Sequence, residues 1–365
     1  MVSAKLGDLV NVFIGGDAPK EYTKEKSDEK TVPIYSNGVE QEGLYGYTDS
    51  PKVEGDSVTI SARGNVGAAF YRAQPFVPIV RLLALVPNRS LISAKYLFYL
   101  LKLDSIISTG AAQQQITAPQ IKKHRITYFS DISYQNRIAS ILSAYDNLIE
   151  NNNRRINLLE QMAENLYKEC FVRFRFPGHE NVEMENGLPQ GWKIDRVKSI
   201  VKRLPFNRTY KEDELEKAGN VVVIDQSTND VLGYHNNEPS HYADYNNPLI
   251  IFGDHSCKCQ LMTQNFSLGE NVIPFTTLNR AVVNGYWLFY ATHKLIKTEE
   301  YKRHWGRFST MKVLIPEISL QNKFADIIVN LEKEKNKLKA ENDTLIRQRD
   351  LLLPRLMSGK LEVNA

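Results

Sequence analysis

Apolar side chains recur at alternating steps of four and three along two stretches of the chain. The first runs through Ile138, Leu142, Tyr145, Ile149, Asn152, Ile156, Leu159, Ala163 and Leu166. The second steps identically through Phe324, Ile328, Leu331, Lys335, Leu338, Asn342, Leu345, Arg349 and Leu352. This rhythm is a heptad seam, which winds a helix against a partner as a coiled coil. Each stretch predicts a helix of about 35 residues, roughly 50 Å long at 1.5 Å per residue. Ser133 and Ser319 are placed to cap the two starts. The second helix is expected to end or bend at Pro354, with Gly359 closing the segment.

The two stretches are copies of one another. Ile132-Ser133-Tyr134-Gln135-Asn136-Arg137 returns as Ile318-Ser319-Leu320-Gln321-Asn322-Lys323, an offset of 186. At that offset Ala139 meets Ala325, Ile141 meets Ile327, Leu159 meets Leu345 and Leu166 meets Leu352. Polar residues interrupt both seams: Asn152 in the first, and Lys335, Asn342 and Arg349 in the second. Either they are solvated where the helices splay, or they fix register and orientation at some cost in stability. A lone helix with so polar a seam would be weak, so the copies are expected to pair with each other.

A globular stretch precedes each helix. Both open on a short amphipathic strand-like run, Leu6–Val10 in one and Trp192–Val197 in the other. Strand formers flanked by turn residues follow: Val32–Tyr35 and Ser57–Ile60, then Val221–Ile224 and Leu249–Phe252. Each stretch has a helix-like aromatic segment, Tyr96–Leu100 and Tyr286–Tyr290, and an extended run into its long helix, Ile126–Phe129 and Val313–Pro316. The reading is a mixed α+β chain with a pseudo-two-fold internal repeat. Globular domains at 1–131 and 173–316 alternate with long helices at 132–172 and 317–365, the helices forming an antiparallel coiled coil.

Composition narrows the class of function. The chain has 365 residues, 42% of them hydrophobic and 24% charged, which suits more than one globular core. A net charge of +4 is mildly basic and compatible with a nucleic-acid partner without requiring one. Three cysteines, Cys170, Cys257 and Cys259, form no disulfide framework. With no signal-peptide core, and with the most apolar run, Phe76–Pro87, broken by Arg81, a cytoplasmic setting is expected.

Several phrases resemble the specificity subunits of type I restriction-modification systems. They are Leu188-Pro189-Gln190-Gly191-Trp192, Ile318-Ser319-Leu320-Gln321-Asn322, Leu166-Tyr167-Lys168-Glu169-Cys170-Phe171-Val172, and the run from Leu351 to Gly359. The resemblance covers essentially the whole chain through the order of its parts. It implies two target-recognition domains, each reading one half of a split double-stranded DNA site, with helix length setting the unspecified gap; each helix matches the length of about 15 base pairs of duplex. It also implies docking of two methyltransferase subunits and a restriction subunit. S-adenosylmethionine, ATP and magnesium are then expected on those partners, with no cofactor and no catalysis in this chain.

Bases are read in the major groove by Arg or Lys on guanine and by Asn or Gln on adenine, so such residues in loops are the candidates. In the first domain they are Ser36, Asn37, Arg63, Asn65, Gln113, Gln114, Gln115 and Thr117. Lys122 and Lys123, followed by His124 and Arg125, better suit phosphates. In the second domain they are Asn207, Arg208, Gln226, Ser227, Thr228, His255, Ser256, Lys258, Thr277, Asn279, Arg280, Arg303 and Arg307. Each is as well read as a solvated loop or turn residue. On a strand, His255, Cys257 and Cys259 would share one face, but without a second cysteine pair they are read as packing residues and no metal site is expected.

An adenine methyltransferase should carry an Asn/Asp-Pro-Pro-aromatic tetrad, which is absent, and the glycine pair Gly15-Gly16 stands alone. Two other readings stay open. One is a specificity subunit for a methyltransferase without a nuclease. The other is a coiled-coil scaffold joining two protein-binding modules.

Overall fold

The computed structural model describes residues 1–103, 115–227, 229–297 and 302–363. They divide into two compact units: Met1–Asn152 with Ala340–Ala365, and Asn153–Lys339. The units are not consecutive segments, because each long helix gives one part to each.

The first unit begins with β1 (Val2–Lys5), the helical turn α1 (Leu6–Leu9) and β2 (Val10–Ile14). There follow β3 (Val32–Tyr35), β4 (Leu44–Thr48), β5 (Ser57–Ile60), β6 (Ala69–Arg72), β7 (Val77–Pro78) and β8 (Leu83–Pro87). Helices α2 (Ala94–Leu103) and α3 (Ala118–Lys123) and strand β9 (Arg125–Tyr128) lead into the long helix α4 (Ile132–Tyr167). Three sheets result: β1 with β9, the four strands β2-β8-β5-β6, and the three strands β4-β3-β7, in which β3 and β7 run parallel.

The second unit repeats this plan strand for strand. After the small hairpin β10 (Met184–Glu185) and β11 (Leu188–Pro189) come β12 (Lys193–Arg196), α5 (Val197–Ile200), β13 (Val201–Arg203), β14 (Val221–Ile224) and β15 (Gly233–His235). Then come β16 (Leu249–Gly253), β17 (Cys259–Met262), β18 (Phe266–Leu268), β19 (Val272–Thr277), α6 (Gly285–Thr292), α7 (Trp305–Thr310), β20 (Lys312–Ile315) and the long helix α8 (Ile318–Met357). The sheets are β12 with β20, the four strands β13-β19-β16-β17, and the three strands β15-β14-β18, with β14 and β18 parallel. Each element from β1 to α4 thus has its counterpart from β12 to α8.

In the first unit the core gathers Leu6, Leu9, Val58, Leu85, Tyr96, Leu97, Ile138, Leu142, Leu353 and Leu356. In the second it gathers Val197, Phe252, Phe275, Trp287, Leu288, Phe308, Phe324 and Ile328. Both cores therefore take in the start of a long helix. The chain expected as a strand at Leu6–Val10 is instead one helical turn between two strands. Leu6 and Leu9, three apart, both bury, and a side chain on Gly7 would come within 3.0 Å of Lys122 of α3.

The helix starts also differ from expectation. The Ser133 amide donates to Asp131 Oδ1 at 2.8 Å, and Leu320 and Gln321 amides donate to the Glu317 carbonyl, so capping falls on Asp131 and Glu317, ahead of the two serines. What the repeated phrase supplies is a buried glutamine. Gln135 Nε2 donates to the carbonyls of Leu91 and Phe129, and its Oε1 accepts from Ser93 N at 2.8 Å. Gln321 does the same with Val282, Pro316 and Asn284 N. At its far end α8 passes through Pro354 and continues to Met357, with Gly359 in the left-handed region at φ 73°.

Every seam position from Ile138 to Leu166 and from Phe324 to Leu352 is buried or half-buried. Asn152 Nδ2 donates to Asn342 Oδ1 at 3.0 Å, with the two residues 3% and 7% exposed. Arg349 pairs with Asp146 at 2.6 Å, and Tyr99 donates to the same carboxylate at 2.5 Å. Burial and the neighbouring Asp146 push the Tyr99 phenol well up. In the second unit Lys335 bonds Glu332 at 2.8 Å and lies 3.7 Å from Glu160, while Arg155 meets Glu334 at 2.8 Å. Asp146 meets Arg349 and Asn152 meets Asn342 in the first unit, and Glu160 meets Lys335 and Tyr167 packs on Phe324 in the second, so rising α4 positions face falling α8 positions and the helices run antiparallel within each unit. The polar seam residues are partnered rather than solvated.

Candidate nucleic-acid interface

In each unit three loops meet through equivalent bonds. In the first, the loop after β3 bonds the loop after β5: Asn37 Oδ1 accepts from Ala62 N at 2.7 Å. The Ala62 carbonyl in turn accepts from Ile116 N at 3.0 Å, drawing in the segment before α3. In the second unit Gln226 Oε1 accepts from His255 N at 3.1 Å, and the Asp254 carbonyl accepts from His304 N at 2.8 Å. An amide side chain two residues beyond a strand thus does the same work twice. The physical need is plain: a loop amide turned away from any strand partner must find an acceptor.

The side chains carried on these equivalent positions differ. In the first unit Arg63 Nη2 donates to Gln115 Oε1 at 3.3 Å. In the second, Asp254 Oδ1 accepts from His304 N and Trp305 N, and Arg303 Nε stands 3.9 Å from its other oxygen. Lys258 Nζ donates to the Asn229 carbonyl, and burial draws its ammonium below the ordinary lysine value. Ser36 and Asn65 flank the first cluster: the Ser36 amide donates to Gly43 O, and the Asn65 carbonyl accepts from Ala68 N. Ser227, beside Gln226, donates to Asp225 at 2.6 Å.

Other candidates lie elsewhere or are engaged. Thr117 is the cap of α3, its backbone N–H and its hydroxyl both donating to Gln120 Oε1 at 2.8 Å. Lys122 and Lys123 are exposed in the last turn of that helix. Asn207 donates to the Ser240 carbonyl and Arg208 to Glu214, away from the Gln226 loop. Thr277 is only 5% exposed inside β19, so its hydroxyl is withdrawn from any surface partner. Asn279 folds back on Ala281 N, as Asn88 does on Ser90 N, and Arg280 bonds Asn247 near the start of α6. Arg307 is exposed on α7. Gln113, Gln114 and Thr228 lie outside the described residues.

The His255–Cys259 stretch is a turn and not an alternating strand, with Cys257 at φ 57°. Burial pushes the Cys259 thiol well up, which keeps it protonated, and no group of three metal-ligating side chains occurs among the described residues. No described helix is long and apolar enough to cross a membrane.

Arg81, which lies in no polar loop of the sequence, also belongs to the first cluster. Arg81 was legible only as the charge that breaks an apolar run. The structure sets it beside Arg63 and Gln115, around a cavity of about 230 Å³. The isolated glycine pair belongs to the same place: a side chain on Gly15 would lie 2.8 Å from the backbone of Ile79.

Residues 1–161 match the family described as type I restriction modification DNA specificity domain. A putative type I specificity subunit of Mycoplasma pneumoniae is 35% identical over 139 residues, 38% of this chain and 41% of that protein. A second from the same organism is 31% identical over 150 residues, again 41% of its length, so the matched segments span well under half of these relatives. The MjaIX specificity subunit of Methanocaldococcus jannaschii is 25% identical over 84% of this chain and 78% of its own. A crystal structure of the S subunit of a type I restriction-modification system from M. genitalium superposes with a TM-score of 0.64 at 17% identity, covering 98% of this chain and 96% of the other. Residues 1–161 thus carry the type I restriction modification DNA specificity domain, and the chain as a whole shares the fold of the M. genitalium S subunit.

Proposed function

We propose that this chain is the DNA-recognition subunit of a type I restriction-modification system, each unit reading one part of a two-part, asymmetric DNA site. The observation that carries the reading is the duplication of the loop cluster on unlike side chains. Ala62-Arg63 and His255-Ser256, Gln115 and Arg303, and Asn37 and Gln226 occupy equivalent places on one topology. A pseudo-two-fold protein suits the symmetry of duplex DNA, and unlike tips suit an asymmetric sequence. The exposed lysines Lys122 and Lys123 position the backbone through phosphates and carry no sequence information.

The specificity-subunit family is non-catalytic, and on this reading the chemistry belongs to partners. Two methyltransferase subunits dock on the helices and transfer a methyl group from S-adenosylmethionine to adenine N6. A restriction subunit using ATP and magnesium cleaves DNA. The complex acts in the cytoplasm.

The test is to co-express the chain with the methyltransferase encoded beside it and to map N6-methyladenine across the host genome by long-read sequencing. A split, asymmetric motif that appears only when this chain is present is the expected result. Methylation unchanged by its removal, with an active partner, would favour the protein-scaffold reading instead.

A further inference from the structure

Between β7 and β8 the chain reverses through Ile79-Val80-Arg81-Leu82, closed by Leu82 N donating to the Ile79 carbonyl at 3.0 Å. Val80 and Arg81 both lie at positive φ, 52° and 61°. Two central residues at positive φ make the kind of turn that ordinarily carries Asn-Gly. A β-branched valine there is a true outlier, and such conformations persist only where the surroundings over-determine them. Here they do. Val80 N donates to Gly16 O at 2.8 Å, Arg81 N to Gly15 O at 2.9 Å, and Asn37 Nδ2 to the Val80 carbonyl at 2.6 Å. Gly15, where a Cβ would lie 2.8 Å from the Ile79 backbone, lets the chain after β2 approach closely enough to make the first two bonds.

The strained turn holds out one guanidinium. Three arginines of this unit form ion pairs within the protein: Arg72 with Glu42, Arg89 with Asp56, and Arg349 with Asp146. Arg81 is exposed, and among the described residues it forms no ion pair. It faces Arg63 and Gln115 around the cavity, whose remaining wall includes Ile14, Leu83 and Pro119. A rigid fork over a partly apolar floor, on the face where the recognition loops meet, matches what bidentate contact with a guanine edge requires. The equivalent connection in the second unit, between β18 and β19, has only Asn271 at positive φ, so this device serves one unit alone.

We propose that Arg81 reads a guanine in the half-site bound by the first unit, and that Asn37 is the positioning residue that locks its turn. The proposal rests on the DNA-recognition reading and names side chains of that same face. Asn37 is thereby moved from base contact to support, because its oxygen serves Ala62 and its amide serves Val80.

The test uses the full chain and a pool of randomised duplexes, with bound molecules selected and sequenced at two salt concentrations. The wild type is compared with Arg81→Ala, Arg81→Lys, Asn37→Asp and Lys123→Ala. Arg81→Ala should lose preference at one guanine by roughly 5- to 150-fold while the rest of the motif stands. Arg81→Lys keeps the charge and loses the planar fork, so it should weaken the same preference, though less than Arg81→Ala does; it decides the matter if Arg81→Ala melts early by circular dichroism. Asn37→Asp retains the acceptor for Ala62 and loses the donor to Val80, and should weaken that same position. Lys123→Ala should weaken all sequences alike and flatten the salt dependence. If Arg81→Lys leaves the motif untouched, or Arg81→Ala weakens every sequence equally, Arg81 is a phosphate contact and the proposal fails alone. A wild-type chain that selects no motif would remove the DNA-recognition reading and this proposal with it.

Discussion

Asn152 and Asn342 show why a polar residue persists in an apolar seam. Their amides are buried and bonded to each other at 3.0 Å, so any shift of one helix against the other would strand both in a dry environment. That penalty falls on wrong alignments far more than the bond favours the right one. Asn342→Ala removes the acceptor of a buried donor and should lower stability by about 1–3 kcal/mol. Replacing both by leucine should restore stability or raise it, since a buried polar pair adds little over good packing, while alternative alignments become accessible. Urea unfolding measures the first effect, and light scattering with unfolding cooperativity measures the second. Equal midpoints for Asn342→Ala and the wild type would mean the pair is not a register device.

At the level of elements, much was readable because its causes are local. The heptad steps located α4 and α8, and β-branched runs bounded by turn residues located β3, β5, β14 and β16. What escaped depends on contacts distant in sequence. Leu6–Val10 alternates like a strand, yet the close packing of Gly7 on Lys122 favours a helical turn. Thr277 reads as a polar turn residue but ends β19 with its side chain buried. Arg81 sits in an apolar run, and only the bonds to Gly15, Gly16 and Asn37 reveal a presented turn. The repeated Gln135 and Gln321 were visible as a phrase, while their work was not. Each joins the start of a long helix to the loop before α2 or α6 by three bonds made from a fully buried side chain. Gln321→Leu would orphan Asn284 N and two carbonyls, so a loss of roughly 2 kcal/mol or more is expected in thermal or urea unfolding. Gln321→Glu keeps the acceptor for Asn284 and loses the two donated bonds, and should fall between leucine and the wild type. A leucine variant as stable as the wild type would show that packing alone joins helix to domain.

For the molecule as a whole, the decisive feature is that α4 and α8 belong to both units. Under the proposed function their length, and not the loops, sets the number of unread base pairs between half-sites. Cutting residues 153–159 from α4 and 335–341 from α8 removes one heptad from each helix while keeping Asn152 and Asn342. A heptad shortens a helix by about 10 Å, equivalent to about 3 base pairs of duplex. It is close to two full turns, so the remaining apolar faces drift by only about 20°. The cut also removes Arg155, Lys335 and Lys339, hence their bonds to Glu334, Glu332 and Asp230. The Arg155 and Lys339 pairs are exposed and contribute little, whereas Glu332 is buried and loses its lysine, so a loss of stability is expected that falls on the helix pair and spares both cores. The expected outcome is a methylation motif with both half-sites unchanged and a gap shorter by about 3 base pairs. Long-read mapping of N6-methyladenine in cells carrying the shortened chain gives the answer directly. A half-site that changes while the gap holds would mean that the helices shape the reading face, and their role as a ruler would have to be given up.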